Sequence, residues 1–221
     1  MIPGARLVLL GRQGAGKGTQ CVRLSRHYVV PHISTGDILR AAVREGTEFG
    51  KKAKAIMDAG DLVPDDIMVG IVDERLDRDD TRSRGFILDG FPRTVAQAAA
   101  LVEITSPRGI DLAVNLDVPR PVVLARLAAR RVCADCGANY STDRPPRYGS
   151  TCDVCGGDVI QREDDTEDAI NRRLDLYEAE TQPLLGWFAE RGMLLEVDGD
   201  GDPDMVFVRL VDAIDRSRAA R

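Results

Sequence analysis

Three observations predict a doubly wound α/β fold built on a parallel sheet. Short runs at residues 6–11 (RLVLLG), 86–89 (FILD) and 112–118 (LAVNLDV) are largely apolar, as expected of strands covered on both faces. Stretches of helical spacing lie between them, and that alternation implies right-handed crossovers. The first run passes directly into GRQGAGKGT, whose glycine density marks a tight loop opening a helix.

Taken in order, a helix is expected over 16–24 and a short strand over 30–34. Thr35 reads as the N-cap of DILRAAVREG, with Asp37 in its first turn and Ile38, Leu39, Ala42 and Val43 at helical spacing. Further helices are expected over 50–59, stopping at Gly60, and over 65–78 after Pro64. The FILD strand leads to a helix over 94–103, and LAVNLDV to one over 119–131. A Gly-, Pro-, Asp- and Ser-rich segment with little periodicity follows. Helix resumes over 166–191, broken at Pro183, before a strand over 194–197 and a last helix over 203–217.

The 221 residues suit one large domain or one domain with insertions, and 43% hydrophobic content supplies a sizeable core. A net charge of −6 argues against general polyanion binding but leaves room for a local cationic site. No apolar run approaches the roughly twenty residues of a membrane span, and MIPGARLVLLGRQG has no signal-peptide pattern. A cytosolic protein is the expectation, and there paired cysteines point to metal or catalysis more than to disulfides.

GRQGAGKGT (11–19) reads as a nucleotide-phosphate cradle. Its glycines let backbone N–H groups face an anion, a helix N-terminus stands behind them, and Lys17 brings a mobile positive charge. The strict P-loop places Ser or Thr directly after the lysine. Here Gly18 intervenes and Thr19 follows, so more of a Mg²⁺ shell is left to water. Asp89, closing FILD at the carboxyl edge of the sheet, is the candidate to hold Mg²⁺ through that water.

Four of the five cysteines form two C-x-x-C pairs fifteen residues apart: Cys133, Cys136, Cys152 and Cys155. Two such knuckles offer four thiolates to a tetrahedral ion and leave no open catalytic position, which is the pattern of a structural Zn²⁺ site. Iron also fits an all-thiolate tetrahedron. Within the segment Asp135, Asp143 and Asp153 face Arg144 and Arg147, a poor surface for nucleic acid. Cys21 reads as a small buried apolar residue, and His27 and His32 as structural or surface residues.

GRQGAGKGTQ, HISTGDILRAAV, FILDGFPRT, RRVC and QREDD, in this order, closely resemble adenylate kinases of the bacterial long-lid type. The resemblance covers most of the chain. It implies a P-loop NTPase-like core over 1–33, 64–128 and 166–221, an inserted AMP-binding helical segment over 34–63, and a zinc-ribbon-like lid over 129–165. It also implies the reaction MgATP + AMP ⇌ MgADP + ADP in a cytoplasmic monomer that binds ATP, AMP and ADP but neither nucleic acid nor membrane. Carried over motif by motif, Gly14, Ala15, Gly16, Lys17, Gly18 and Thr19 form the ATP phosphate loop. Arg126 and Arg130 serve the ATP side. Thr35, Arg40, the stretch Asp61, Leu62 and Val63, Gly90, Arg93 and Gln97 serve AMP, with Gln97 reading the adenine edge. Arg162 and Arg173 bind phosphate beyond the lid. Lys17, Asp89, Arg93, Arg130, Arg162 and Arg173 form the catalytic set. Planar guanidinium groups suit it, because phosphoryl transfer is catalysed by positioning and charge rather than by a base or nucleophile.

The chain departs from the family at two places. Gln13 stands where most members have a φ-fixing proline, and Asp198 to Pro203 (DGDGDP) replaces the stretch that contacts adenine. A UMP/CMP-type kinase is the nearest alternative, but such proteins resemble SAG where this chain has STG, and they have short lids. A nucleotide-gated zinc-ribbon module is the alternative from another class, and the acidity of the chain counts against it.

Overall fold

The computed structural model describes residues 4–59, 61–162 and 164–220. Its core is a five-stranded, wholly parallel sheet: β1 (Arg6–Leu10), β2 (His32–Ser34), β3 (Phe86–Asp89), β4 (Leu112–Asp117) and β8 (Leu194–Asp198), in the spatial order β2-β3-β1-β4-β8. Alternate residues of a strand feed opposite faces. Leu7, Leu9, Val114 and Leu116 pack with α1 (Lys17–Tyr28), α7 (Arg120–Ala129), α8 (Glu167–Leu176) and α10 (Pro203–Ala219). Val8, Leu10, Leu88 and Ala113 pack on the other face with α4 (Asp65–Leu76), α6 (Val95–Thr105) and α9 (Pro183–Ala189). Both faces are therefore dry, which accounts for the largely apolar runs. Each fully buried leucine contributes about 1.5–3 kcal/mol of transfer free energy.

The sheet order places β1 between β3 and β4. The loop leaving β1 thus opens at the carboxyl edge where the chain switches sides, with Leu9 in register with Asp89. Beyond the sheet, α2 (Thr35–Arg44) and α3 (Glu48–Asp58) form a helical pair, and β5 (Arg130–Cys133), β6 (Asn139–Ser141) and β7 (Val159–Ile160) form a small antiparallel sheet. No described helix is long and apolar enough to cross a membrane.

Local details differ from the expectations. The N-cap of α2 is Ser34, whose Oγ accepts from Asp37 N at 3.2 Å, while Thr35 is already helical. Both are capping residues; β2 ends at Ser34 as expected, and the helix starts one position earlier than the motif suggested. The helix expected over 65–78 ends at Leu76, and a short α5 (Asp79–Arg84) follows it. The helix expected to reach 131 ends at Ala129, because Arg130 is already extended and pairs with Ser141. The lid strands escaped notice since two to four residues are too few to display a period of two. The break near Pro183 is a π-helical turn, Tyr177–Thr181, which lets the proline start α9 at its first turn. The stop expected at Gly60 lies outside the described residues.

Candidate active site

The loop between β1 and α1 bends through Gly14 and Gly16. Gly14 has φ +82°, and a Cβ there would lie 2.9 Å from Val123 O and 2.8 Å from Leu127. The loop therefore presses directly onto α7 and admits no side chain. Lys17 begins α1 and folds back, its Nζ donating to Gly11 O at 2.6 Å and to Arg12 O at 3.0 Å. Burial lowers its pKa, and Asp89 partly restores it. Gly18 and Thr19 continue into the first turn of α1, and a Cβ on Gly18 would stand 3.6 Å from Asp89 Oδ2. The lysine and the acidic strand end thus face one space. Burial alone would raise the Asp89 pKa, but His32 and Lys17 reverse the effect and hold the carboxyl ionised. Where proline is replaced by Gln13, the neighbouring Arg12 anchors the loop. It donates to Val118 O at 3.4 Å, approaches Asp117 at 3.6 Å and lies over the Tyr177 ring.

Around that space stand five arginines, three on α2, β5 and α8 and two on the loops after β3 and β7. Arg40 on α2 pairs with Asp37 at 2.5 Å. Arg93, after β3, donates from Nε to Gly90 O at 2.9 Å, and burial lowers its pKa while Asp89 raises it. Gly90 adopts φ +85°, and a Cβ would meet Thr35 Oγ1 at 2.8 Å, so this crossing requires glycine. Arg130 at the start of β5 forks onto Asp165, donating from Nε at 2.8 Å and also from Nη2. Arg173 on α8 donates to Asp164 O at 2.7 Å and to its carboxylate at 2.5 Å. Arg162 differs from these. Its Nε is buried without a hydrogen-bond partner among the described residues, and burial together with Arg40 and Arg130 draws its pKa down to about 10. It stays cationic at neutral pH, with an N–H free for an incoming oxyanion.

Sequence reasoning missed the carboxylates Asp164 and Asp165, although they stand within the quoted QREDD. The signal was available: three consecutive acids directly after a phosphate-type arginine, between an insertion and a helix N-cap. The Asp165 side chain is fully buried between Arg130 and Arg173, so it fixes both guanidinium groups. On the far side Arg126 reaches Ala15 O at 3.3 Å, Gly199 O at 3.4 Å and Asp200 at 3.3 Å. The acidic DGDGDP stretch is engaged by arginines, with Asp198 on Arg209 and Asp202 on Arg144. Gln97 is buried, accepting from Arg93 N at 2.8 Å and donating to Asp65 at 2.6 Å. Leu62 and the buried Val63 lie beside Asp61, which pairs with Arg172 at 2.5 Å.

The four lid cysteines converge. Cys133 and Cys155 Sγ atoms are 3.5 Å apart, and Cys136 and Cys152 Sγ atoms 3.6 Å. A tetrahedron with Zn–S bonds of about 2.3 Å has edges of about 3.8 Å, so the donors and spacing fit zinc. Tyr140 Oη lies 3.3 Å from Cys152 Sγ and draws that thiol down, while the neighbouring sulfurs push the Cys136 and Cys155 thiols up.

A glycine cradle with its lysine, an acidic strand end and converging buried arginines define a phosphotransferase of the nucleoside monophosphate kinase class. The family model described as adenylate kinase matches residues 9–193. The chain is 51% identical to the adenylate kinase of Thermodesulfovibrio yellowstonii, covering 91% of this chain and 95% of that one. It is 50% identical to that of Methanosarcina mazei, covering 91% and 94%, and 48% identical to that of Desulfitobacterium hafniense, covering 95% and 98%. The chain belongs to the adenylate kinase family.

Proposed function

We propose that the chain transfers the γ-phosphoryl group of ATP to AMP, giving two ADP and balancing adenine nucleotides in the cytoplasm, as a monomer that engages neither nucleic acid nor membrane. The observation that carries this reading is the convergence of Lys17, Arg40, Arg93, Arg130, Arg162 and Arg173 on the cleft beside the glycine loop, with Arg162 holding an unpartnered N–H. Two nucleotides meeting by their phosphates bring several negative charges, and this set is suited to them. Gly14 to Thr19 would cradle the ATP phosphates, with Arg126 and Arg130 alongside. Thr35, Arg40, Asp61, Leu62, Val63, Gly90, Arg93 and Gln97 would hold AMP, and Arg162 and Arg173 would span both phosphate chains. Gln97 keeps one N–H and one lone pair uncommitted for the base edge.

Asp89 would hold Mg²⁺ through water, and the bound ion neutralises phosphate charge. The chain's own residues align the AMP oxygen with the γ-phosphorus and stabilise charge on the equatorial oxygens, which are the effects that dominate phosphoryl transfer. Residues 129–165 would act as a lid and 34–63 as the AMP segment over the core at 1–33, 64–128 and 166–221. Support comes from Arg44 Nη1, which donates to Ala134 O at 2.8 Å and so joins the two covering segments. Cys133, Cys136, Cys152 and Cys155 would hold structural Zn²⁺, stiffening a lid too small for a core of its own. Closure would exclude water from the phosphates.

The test is turnover with MgATP and AMP, GMP, UMP or CMP. AMP should give the highest kcat/KM. Higher kcat/KM with another monophosphate would assign the chain to a different substrate.

A further inference from the structure

Cys21, His32 and Asp89 come from α1, β2 and β3, yet one ligand atom from each lies within 4.8 Å of the other two. Cys21 is fully buried. His32 Nε2 stands 3.8 Å from Asp89 Oδ2 and is itself buried without a hydrogen-bond partner among the described residues. Packing alone explains a buried cysteine. It does not explain an imidazole nitrogen held at 3.8 Å from a carboxylate, short of a hydrogen bond, with a thiol beside both.

A tetrahedral zinc ion with bonds of about 2.0–2.3 Å needs ligand separations of roughly 3.3–3.8 Å. The His32–Asp89 pair stands at 3.8 Å, within about 0.5 Å of an N–O edge, and the edges to sulfur need contraction by up to about 1.3 Å. The donor set of thiol, imidazole and carboxylate selects a borderline-soft cation over Mg²⁺. Lys17 opposes any second cation here, which a hard ion has no thiolate bond to offset.

We propose that Cys21, His32 and Asp89 form a second, inhibitory zinc site at the floor of the phosphate cleft. Binding would release the Cys21 proton to solvent and form Zn–S, Zn–N and Zn–O bonds, leaving the fourth position to water. Occupancy withdraws Asp89 from Mg²⁺. This inhibition rests on the magnesium role proposed for Asp89, whereas the binding itself does not.

Purified enzyme, carrying whatever metal its lid holds, would be equilibrated with buffered free Zn²⁺ and its metal counted after dialysis. Wild type should hold one zinc per chain more than Cys21→Ala and His32→Gln. With a zinc-filled lid, added Co²⁺ should give thiolate-to-cobalt absorption in wild type only. Zinc should inhibit wild type at concentrations at least tenfold lower than Cys21→Ala, whose basal turnover should match wild type. Equal metal counts and equal cobalt spectra in wild type and both variants would overturn the site. An extra zinc in wild type that leaves turnover intact would overturn the inhibition, and would identify the magnesium role of Asp89 as the failed premise.

Discussion

Arg162 and Asp165 show how single side chains are spent in this site. Asp165 is fully enclosed, takes the Arg130 fork on both of its oxygens and lies 3.8 Å from Arg173, so those arginines are held before substrate arrives. Arg162 keeps a buried N–H without a hydrogen-bond partner among the described residues. Arg162→Lys keeps the charge but loses the planar fork, and kcat should fall about a hundredfold or more while melting stays near wild type; steady-state kinetics beside thermal denaturation would show the split. Acid should weaken the fold through Asp37, Asp89 and Asp164, whose carboxyls are held below their ordinary range by Arg40, His32 with Lys17, and Arg173, respectively, against the opposing effect of burial. Their contribution is fully present above the unfolded pKa of about 4 and is lost as pH falls through the lower folded values. Chemical denaturation from pH 6 to pH 3 should show that loss. The arginines were legible in the sequence because they stand inside motifs. Asp165 and the orphaned His32 nitrogen were not, since each is defined by neighbours far along the chain.

At the scale of elements, the sheet was legible because its strands are dry on both faces and so carry largely apolar runs. The lid was legible as a metal knot but not as a sheet: its strands hold two to four residues, and the knuckles between them follow cysteine geometry rather than hydrophobic period. The same logic assigns the lid's stability to the four sulfurs, with Val132 and Pro146 as its only buried apolar residues besides cysteine among those described. Cys136→Ser should therefore lower the melting temperature by roughly 5–10 °C and leave kcat within a few-fold of wild type, because the phosphate-facing arginines lie outside the knuckles. Calorimetry with metal analysis checks this, and an unchanged melting temperature with full metal content would refute it.

Across the whole molecule, the covering elements already meet. Arg44 of the α2–α3 pair touches the backbone of the first cysteine knuckle, and Arg144 of the lid reaches Asp202 ahead of α10. The acidic DGDGDP stretch, which the sequence alone left unexplained, is occupied by Arg126, Arg144 and Arg209. An acidic protein thereby gathers its unspent positive charge in one cleft and closes it from two sides. The proposed transfer between two bound nucleotides, sheltered from water, would use that arrangement. The most direct measurement follows an isotopic label from the γ-phosphate of ATP in the presence of Mg²⁺ and AMP. The label should appear in the β-phosphate of the ADP formed from AMP, with little inorganic phosphate. Label released chiefly as inorganic phosphate, or retained in ATP, would contradict the account.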